Sequence, residues 1–154
     1  MKTKTEILIE LWLEARTRFS NQLEDIQEED LKKKLGNSPN SLGFLICHIG
    51  EIELLFAKNV FGDSSVKVSA QTVMKKEDTG EWTDLDELKE YVKNSFDKLY
   101  AIVVQQSDDD WESEVNTKEF GSKTLAEAFG RVVSHTAYHA GQMAIINKYG
   151  TRNN

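Results

Sequence analysis

Residues 130–150 read GRVVSHTAYHAGQMAIINKYG, and residues 41–62 read SLGFLICHIGEIELLFAKNVFG. In both, apolar residues return every three or four positions and a glycine closes the run, the pattern of a helix with a buried face. His135 and His139 stand four apart in the first stretch and His48 lies in the second; these are the three histidines of the chain. Side chains four apart share a helix face, so two imidazoles can meet one ion while a third reaches it from a facing helix.

Working outward, the helix around His48 is expected to begin at a cap on Ser41 or Asn40 and to run to about Phe61. The last helix is expected from Thr124, whose Glu127 completes a capping box, through Ile146 to a stop at Gly150. The first helix is predicted over about residues 3–34, with Leu8, Trp12, Ala15, Phe19, Leu23 and Ile26 facing inward, until GNSPN at 36–40 breaks the pattern. A further helix is predicted in TDLDELKEYVKNSFDKLYAIVVQQ (83–106), with Thr83 as N-cap and Asp86 as its partner in an approximate capping box. Its inward stripe is Leu85, Leu88, Val92, Phe96, Leu99 and Val103. The fold class is therefore all-α, a four-helix bundle. The short break at 36–40 makes the first two helices antiparallel. The stretch Gly62–Trp82 can run the ~30 Å length of a helix and start the next one parallel to the second, giving up-down-down-up order, with an irregular loop over one end as the alternative. Residues 107–124, SDDDWESEVNTKEFGSKT, are expected to hold a short hairpin or a lid, with Asp108, Asp109 and Asp110 a solvated break.

A chain of 154 residues fits one domain, here 1–154. A net charge of −7 argues against binding nucleic acid through a basic surface. Lys32, Lys33 and Lys34 are nearly balanced by the preceding EDIQEED and read as a charged helix end. The one cysteine, Cys47, excludes an internal disulfide and suits a reducing compartment. No apolar run approaches the ~20 residues of a membrane span. A cytoplasmic protein with neither nucleic acid nor membrane as partner is expected.

With His135 at zero and ~100° per residue, His139 lies about 40° to one side and Gln142 about 20° to the other, on the stripe that packs the core. His48 shares its face with Leu45, Ile52 and Leu55. Three buried imidazoles need more polar partners than such faces supply, and a shared cation satisfies them together. Three imidazoles suit Zn²⁺ best, with Ni²⁺, Fe²⁺ or Cu²⁺ as other fits, and three protein ligands leave a position open for substrate. HTAYH lacks the glutamate that follows the first histidine in zinc proteases. If the two helices are antiparallel, the histidines lie ~10 Å from the start of the second helix and ~16 Å from the end of the last, and the site opens toward that end. Around them, Gln142 is a candidate for orienting a ligand or binding substrate, against a helix–helix hydrogen bond, and Glu51 for accepting behind a ligand or acting as base, against a solvated carboxylate. Arg131 is a candidate for a substrate carboxylate, against a surface ion pair. Cys47 reads as core packing, and Trp12 and Tyr138 as structural, with contact to the site as the alternative. The bland alternative is a bundle whose histidines are satisfied core residues.

SLGFLICHIGEIE, the long connection, WTDLDELKEYV and TLAEAFGRVVSHTAYHAGQM together resemble the DinB-like (DinB/YfiT) family of bacterial metal-binding helical bundles, unrelated to the DNA polymerase of similar name. The resemblance covers nearly the whole chain. It implies a metal triad of His48, His135 and His139, up-down-down-up order and a homodimer. Some members of the family are metal-dependent transferases that activate a low-molecular-weight thiol such as bacillithiol, mycothiol or glutathione. The resemblance thus implies a divalent-metal thiol S-transferase acting on small electrophiles. A noncatalytic metal-binding stress protein and a metal-hydroxide hydrolase are the alternatives.

Overall fold

The computed structural model describes residues 1–152. Side-chain caps start each long helix. Thr3 and Glu6 form a reciprocal box at α1 (Lys4–Asp25), and Ser41 Oγ accepts from Phe44 N–H at 3.1 Å to begin α2 (Leu42–Asn59). After a one-turn helix α3 (Gln71–Lys75), α4 (Leu85–Val103) opens under Asp84, whose Oδ1 accepts from Glu87 N–H at 2.9 Å. Thr124 and Glu127 box the start of α5 (Leu125–Tyr149), which ends at Gly150 as expected. Two small antiparallel pairings complete the fold: β1 (Lys33–Lys34) with β4 (Thr151–Arg152), and β2 (Glu114–Thr117) with β3 (Gly121–Thr124).

Cross-helix contacts give the directions. Trp12 meets Phe129 at 5.5 Å and the Gln22 amide donates to Ala140 O at 2.8 Å, so α1 and α5 run parallel. Gly43 lies against Trp82, Gly50 against Tyr91 and Glu53 beside Ser95, so α2 and α4 are parallel. Thr5 bonds Gln106 O while Arg16 bonds Val92 O, so α1 and α4 are antiparallel. His48 meets His135 and Phe61 meets Phe129, so α2 and α5 are antiparallel. The up-down-down-up bundle follows. The α2–α4 seam depends on two glycines: a Cβ at Gly43 would sit 2.0 Å from Trp82 O, and one at Gly50 would sit 2.9 Å from the Tyr91 ring.

Several expectations need correction. The first helix stops at Asp25, because the Asp30 carboxylate takes the Gln27 N–H at 3.0 Å and starts a separate 3₁₀ turn over Glu28–Asp30. Ile26 and Leu31 thereby turn into the core. Lys33 and Lys34 are extended and pair with residues 151–152 instead of ending a helix. The cap of α4 is Asp84, not Thr83, and it makes no reciprocal bond with Asp86. The 62–82 connection is not a bare crossing, since it carries α3. Residues 107–124 do form a hairpin, preceded by a 3₁₀ turn at Asp110–Glu112. Asp108 and Asp110 are solvent-facing but engaged: Asp108 accepts from Lys4 N–H at 2.8 Å and Asp110 from Ser107 N–H at 2.7 Å.

Inside the bundle a buried ion pair joins three helices. Arg16 Nε donates to Glu53 Oε1 at 2.7 Å, and its outer nitrogen reaches Val92 O at 2.7 Å. Ser95 Oγ donates to Glu53 at 2.7 Å, and the guanidinium lies 4.6 Å from the Phe96 ring centre. No helix among the described residues is long and apolar enough to cross a membrane.

Candidate metal centre

The antiparallel α2–α5 seam brings the three histidines together, with the donor atoms of His48, His135 and His139 all within 4.8 Å of one another. His48 Nε2 and His135 Nε2 are 3.1 Å apart. Two imidazoles bound to one tetrahedral zinc at 2.0–2.1 Å would have their nitrogens about 3.3 Å apart. The His48–His135 pair therefore already has close to the spacing of two ligands on one ion, with His139 near enough to complete the set.

Hydrogen bonding outside the triad decides which nitrogens face inward. Glu51, weighed as an acceptor behind a ligand or a base against a solvated carboxylate, is 1% exposed. It accepts from Gln71 N–H at 2.7 Å, from Thr72 N–H at 2.9 Å and from the Thr72 hydroxyl. A hydroxyl has one proton, and here the carboxylate takes it. Thr72 Oγ1 must then accept from His48 Nδ1–H, 2.8 Å away, which leaves the Nε2 lone pair pointing at the other two rings. Gln142 does the same for His139, its Oε1 accepting from Nδ1–H at 2.6 Å, so it makes no helix–helix bond. Glu51 turns inward because α3 lies over this part of α2 and closes it from water.

The imidazoles are held neutral, the form that binds metal. Burial, then the neighbouring His139, pushes His48 down to about 4. Burial, then His139, His48 and Arg131, pushes His135 to about 3. Burial lowers His139 too, partly opposed by its bond to Gln142. Cys47 is buried with its thiol pushed up to about 12, chiefly by burial and then by Glu51, so it stays protonated packing material.

Beside His135 a cleft of about 330 Å³ opens between Ile52 and Phe56 of α2 and Arg131 and Tyr138 of α5, with Glu119 of the hairpin at its edge. It runs toward the end where α2 finishes and α5 begins, opposite to the direction expected from helix depths. The long connection carrying Thr72 covers the other approach. Arg131 is exposed, pairs with Glu119 at 3.4 Å and lies over the Phe120 ring. Tyr138 is not a core residue: it is 64% exposed, with its ring 5.1 Å from that of His139. Trp12 is fully buried and structural, as expected. Sequence reasoning missed Thr72, a threonine in a polar loop with no periodicity around it to mark it.

The sequence matches the family model described as DinB superfamily over residues 11–143. None of the curated proteins matches it. Among solved structures it is similar to the mycothiol-dependent maleylpyruvate isomerase, at 19% identity and a TM-score of 0.70, covering 93% of this chain and 63% of that one. A histidine-to-alanine mutant of that enzyme is similar at 18% identity, with the same TM-score and coverage. The likeness is one of fold, and this chain spans less than two thirds of that enzyme's length.

Proposed function

This chain belongs to the DinB superfamily, and from that premise we propose that His48, His135 and His139 bind one divalent metal ion and that the centre serves thiol-dependent transfer to a small electrophile. Zn²⁺ is the metal the three neutral imidazoles suit best, with Ni²⁺ or Fe²⁺ as the alternatives. The observation that carries the reading is the pair of relays, through Thr72 to Glu51 and through Gln142, which fix two ring protons on Nδ1 and leave the lone pairs convergent. Bound there, the ion would lower the pKa of a thiol so that it is presented as thiolate at neutral pH.

The chain's own residues do the rest. Glu51 is a positioning residue rather than a base, because its carboxylate is enclosed by three donors and reaches the centre only through Thr72. Gln142 holds His139 and is likewise positioning. Ile52 and Phe56 keep one wall of the cleft apolar, which excludes water from a thiolate and admits an apolar electrophile. Arg131, at the mouth, can hold a carboxylate in place of Glu119. The fold neighbour is mycothiol-dependent, which supports a thiol as cosubstrate here. A homodimer is part of the proposal, supported by the exposed apolar stripe Tyr138, Ile145 and Tyr149 on α5; light scattering should return twice 17.5 kDa.

The test is metal content of tag-free protein followed by a thiol-by-electrophile screen. One ion per chain, lost in His48→Ala and in His135→Ala/His139→Ala, with thiol-dependent consumption of a chloronitrobenzene, is the expected result. Metal without turnover across several thiols would remove the transferase, and ester hydrolysis without thiol would replace it with a hydrolase. No metal after reconstitution would end both.

A further inference from the structure

Two cavities lie end to end along the seam between α2, the hairpin and α5. The first is the cleft beside His135. The second, about 400 Å³, lies between the second half of α2 and the hairpin tip. Ile52, Phe56 and Glu119 line both, so the cavities are two lobes of one groove. Both lobes mix apolar and polar walls: the near one sets Tyr138 beside Arg131 and Ser134, and the far one sets Leu55 and Val60 beside Asn59 and Asn116. Each lobe has the volume of a small-ligand pocket, about 300–1,000 Å³, so the groove accepts a molecule longer than a small electrophile.

Charge along the groove runs against that of the chain. The protein carries −7, yet the groove is lined by two cations, Arg131 and Lys118, and by the single carboxylate of Glu119. Arg131 and Glu119 are 3.4 Å apart, with side chains 45% and 63% exposed. Such a pair contributes at most about 1 kcal/mol, so Arg131 can exchange Glu119 for another carboxylate at little cost. Its guanidinium is held at the junction of the lobes by the Phe120 ring, 5.3 Å away, which leaves its planar fork free for a two-point contact. Among the described residues no carboxylate forms an ion pair with Lys118.

We propose that this groove seats the thiol cosubstrate in an extended form, as a hydrophilic thiol bearing at least one carboxylate. The carboxylate lies between Arg131 and Lys118, the polar body meets the amides of Asn59 and Asn116, and the sulfur end reaches the near lobe beside His135. The assignment rests on the thiol-transfer reading above. It divides the reactants by reach: the thiol's body occupies the far lobe, while its sulfur and the electrophile meet in the near one beside His135.

The full chain, metal-free and zinc-loaded, is titrated with S-methylglutathione, a carboxylate-bearing thiol whose blocked sulfur removes metal ligation from the readout. In ¹⁵N–¹H spectra the side-chain amides of Asn59 and Asn116 and the backbone amides of 116–120 should shift saturably in both forms. Lys118→Gln should weaken binding roughly three- to fivefold and Arg131→Gln roughly tenfold, with thermal unfolding unchanged. No saturable shift, shifts confined to other faces of the bundle, or unchanged affinity in both variants would overturn the assignment. Turnover of wild-type protein with the uncharged thiol 2-mercaptoethanol separates the two levels. Turnover without the shifts sinks the groove alone, while no turnover with any thiol sinks the transfer reading.

Discussion

Replacing Glu51 by glutamine should reverse the proton relay behind His48. The carboxylate now accepts three donors: Gln71 N–H, Thr72 N–H and the Thr72 hydroxyl. An amide can keep its oxygen on Gln71 N–H, but it then presents NH₂ to the two donors of Thr72. The Thr72 hydroxyl must accept from that NH₂ and turn its own proton toward His48 Nδ1, 2.8 Å away. The imidazole proton moves to Nε2, the nitrogen that faces His135. Binding a metal ion then requires the tautomer to be undone and a buried hydrogen bond to be given up. Changes behind a metal ligand typically cost 10–100-fold in affinity, about 1.4–2.7 kcal/mol. Because Glu51→Gln sets an NH₂ against the Thr72 backbone N–H as well as reversing the hydroxyl, the expectation is the upper end, about 100-fold. Thr72→Val, which cuts the relay without reversing it, should cost about tenfold. Zinc titration against a competing chelator gives the affinities, and ¹⁵N shifts of the His48 ring in metal-free protein give the tautomer. Zinc affinity of Glu51→Gln within threefold of wild type, with the His48 proton still on Nδ1, would refute the reasoning.

Three further outcomes are expected. Arg16→Met should lower unfolding free energy by about 3–5 kcal/mol, because it strands the buried Glu53; Arg16→Met/Glu53→Leu should recover most of the loss, and a urea series on the three variants checks both. Metal-free protein should lose stability as pH falls below 6.5, since the unfolded histidines protonate there while His48 and His135 stay neutral to about 4 and about 3. His48 alone contributes on the order of 3 kcal/mol to that loss, which levels off below the folded values; thermal melts between pH 7.5 and 4 read it, and flat stability would contradict it. Gly50→Ala gains about 1 kcal/mol of helix propensity, but its methyl would lie 2.9 Å from the Tyr91 ring, and overpacking of about 1–3 kcal/mol should leave a net loss in the denaturation midpoint.

The residues that face one another across helices were legible because periodicity reports faces. Leu85, Leu88, Val92, Leu99 and Val103 all lie where a 3.6-residue repeat puts them, and the same repeat brought His48 to His135 and His139. What escaped depended on partners distant in sequence. Nothing near Glu51 announces that α3 will bury it, and Arg16 and Glu53 look like surface charges until three helices close over them. The end of α1 escaped for a related reason: Asp30 competes for the chain through its own side chain, a local bond that helix propensity does not register. Tyr138, structural by its sequence context with site contact as the alternative, lies on the cleft wall because its position on α5 borders the seam, where one residue's rotation separates core from cleft.

The pairing of α1 with α5 has a consequence for how the chain is made. The Gln22 amide finds its acceptor 118 residues later, at Ala140. At a synthesis rate of about 5–20 residues per second, α1 waits roughly 6–24 s for the helix it packs against. For that interval Trp12, Phe19 and Leu23, all buried in the finished protein, have no α5 to cover them. A bundle wired this way closes late, with its first helix docking against its last, and folding should run slower than in up-and-down bundles of the same length. Through most of its synthesis the chain therefore carries the apolar face of α1 without the helix that finally covers it.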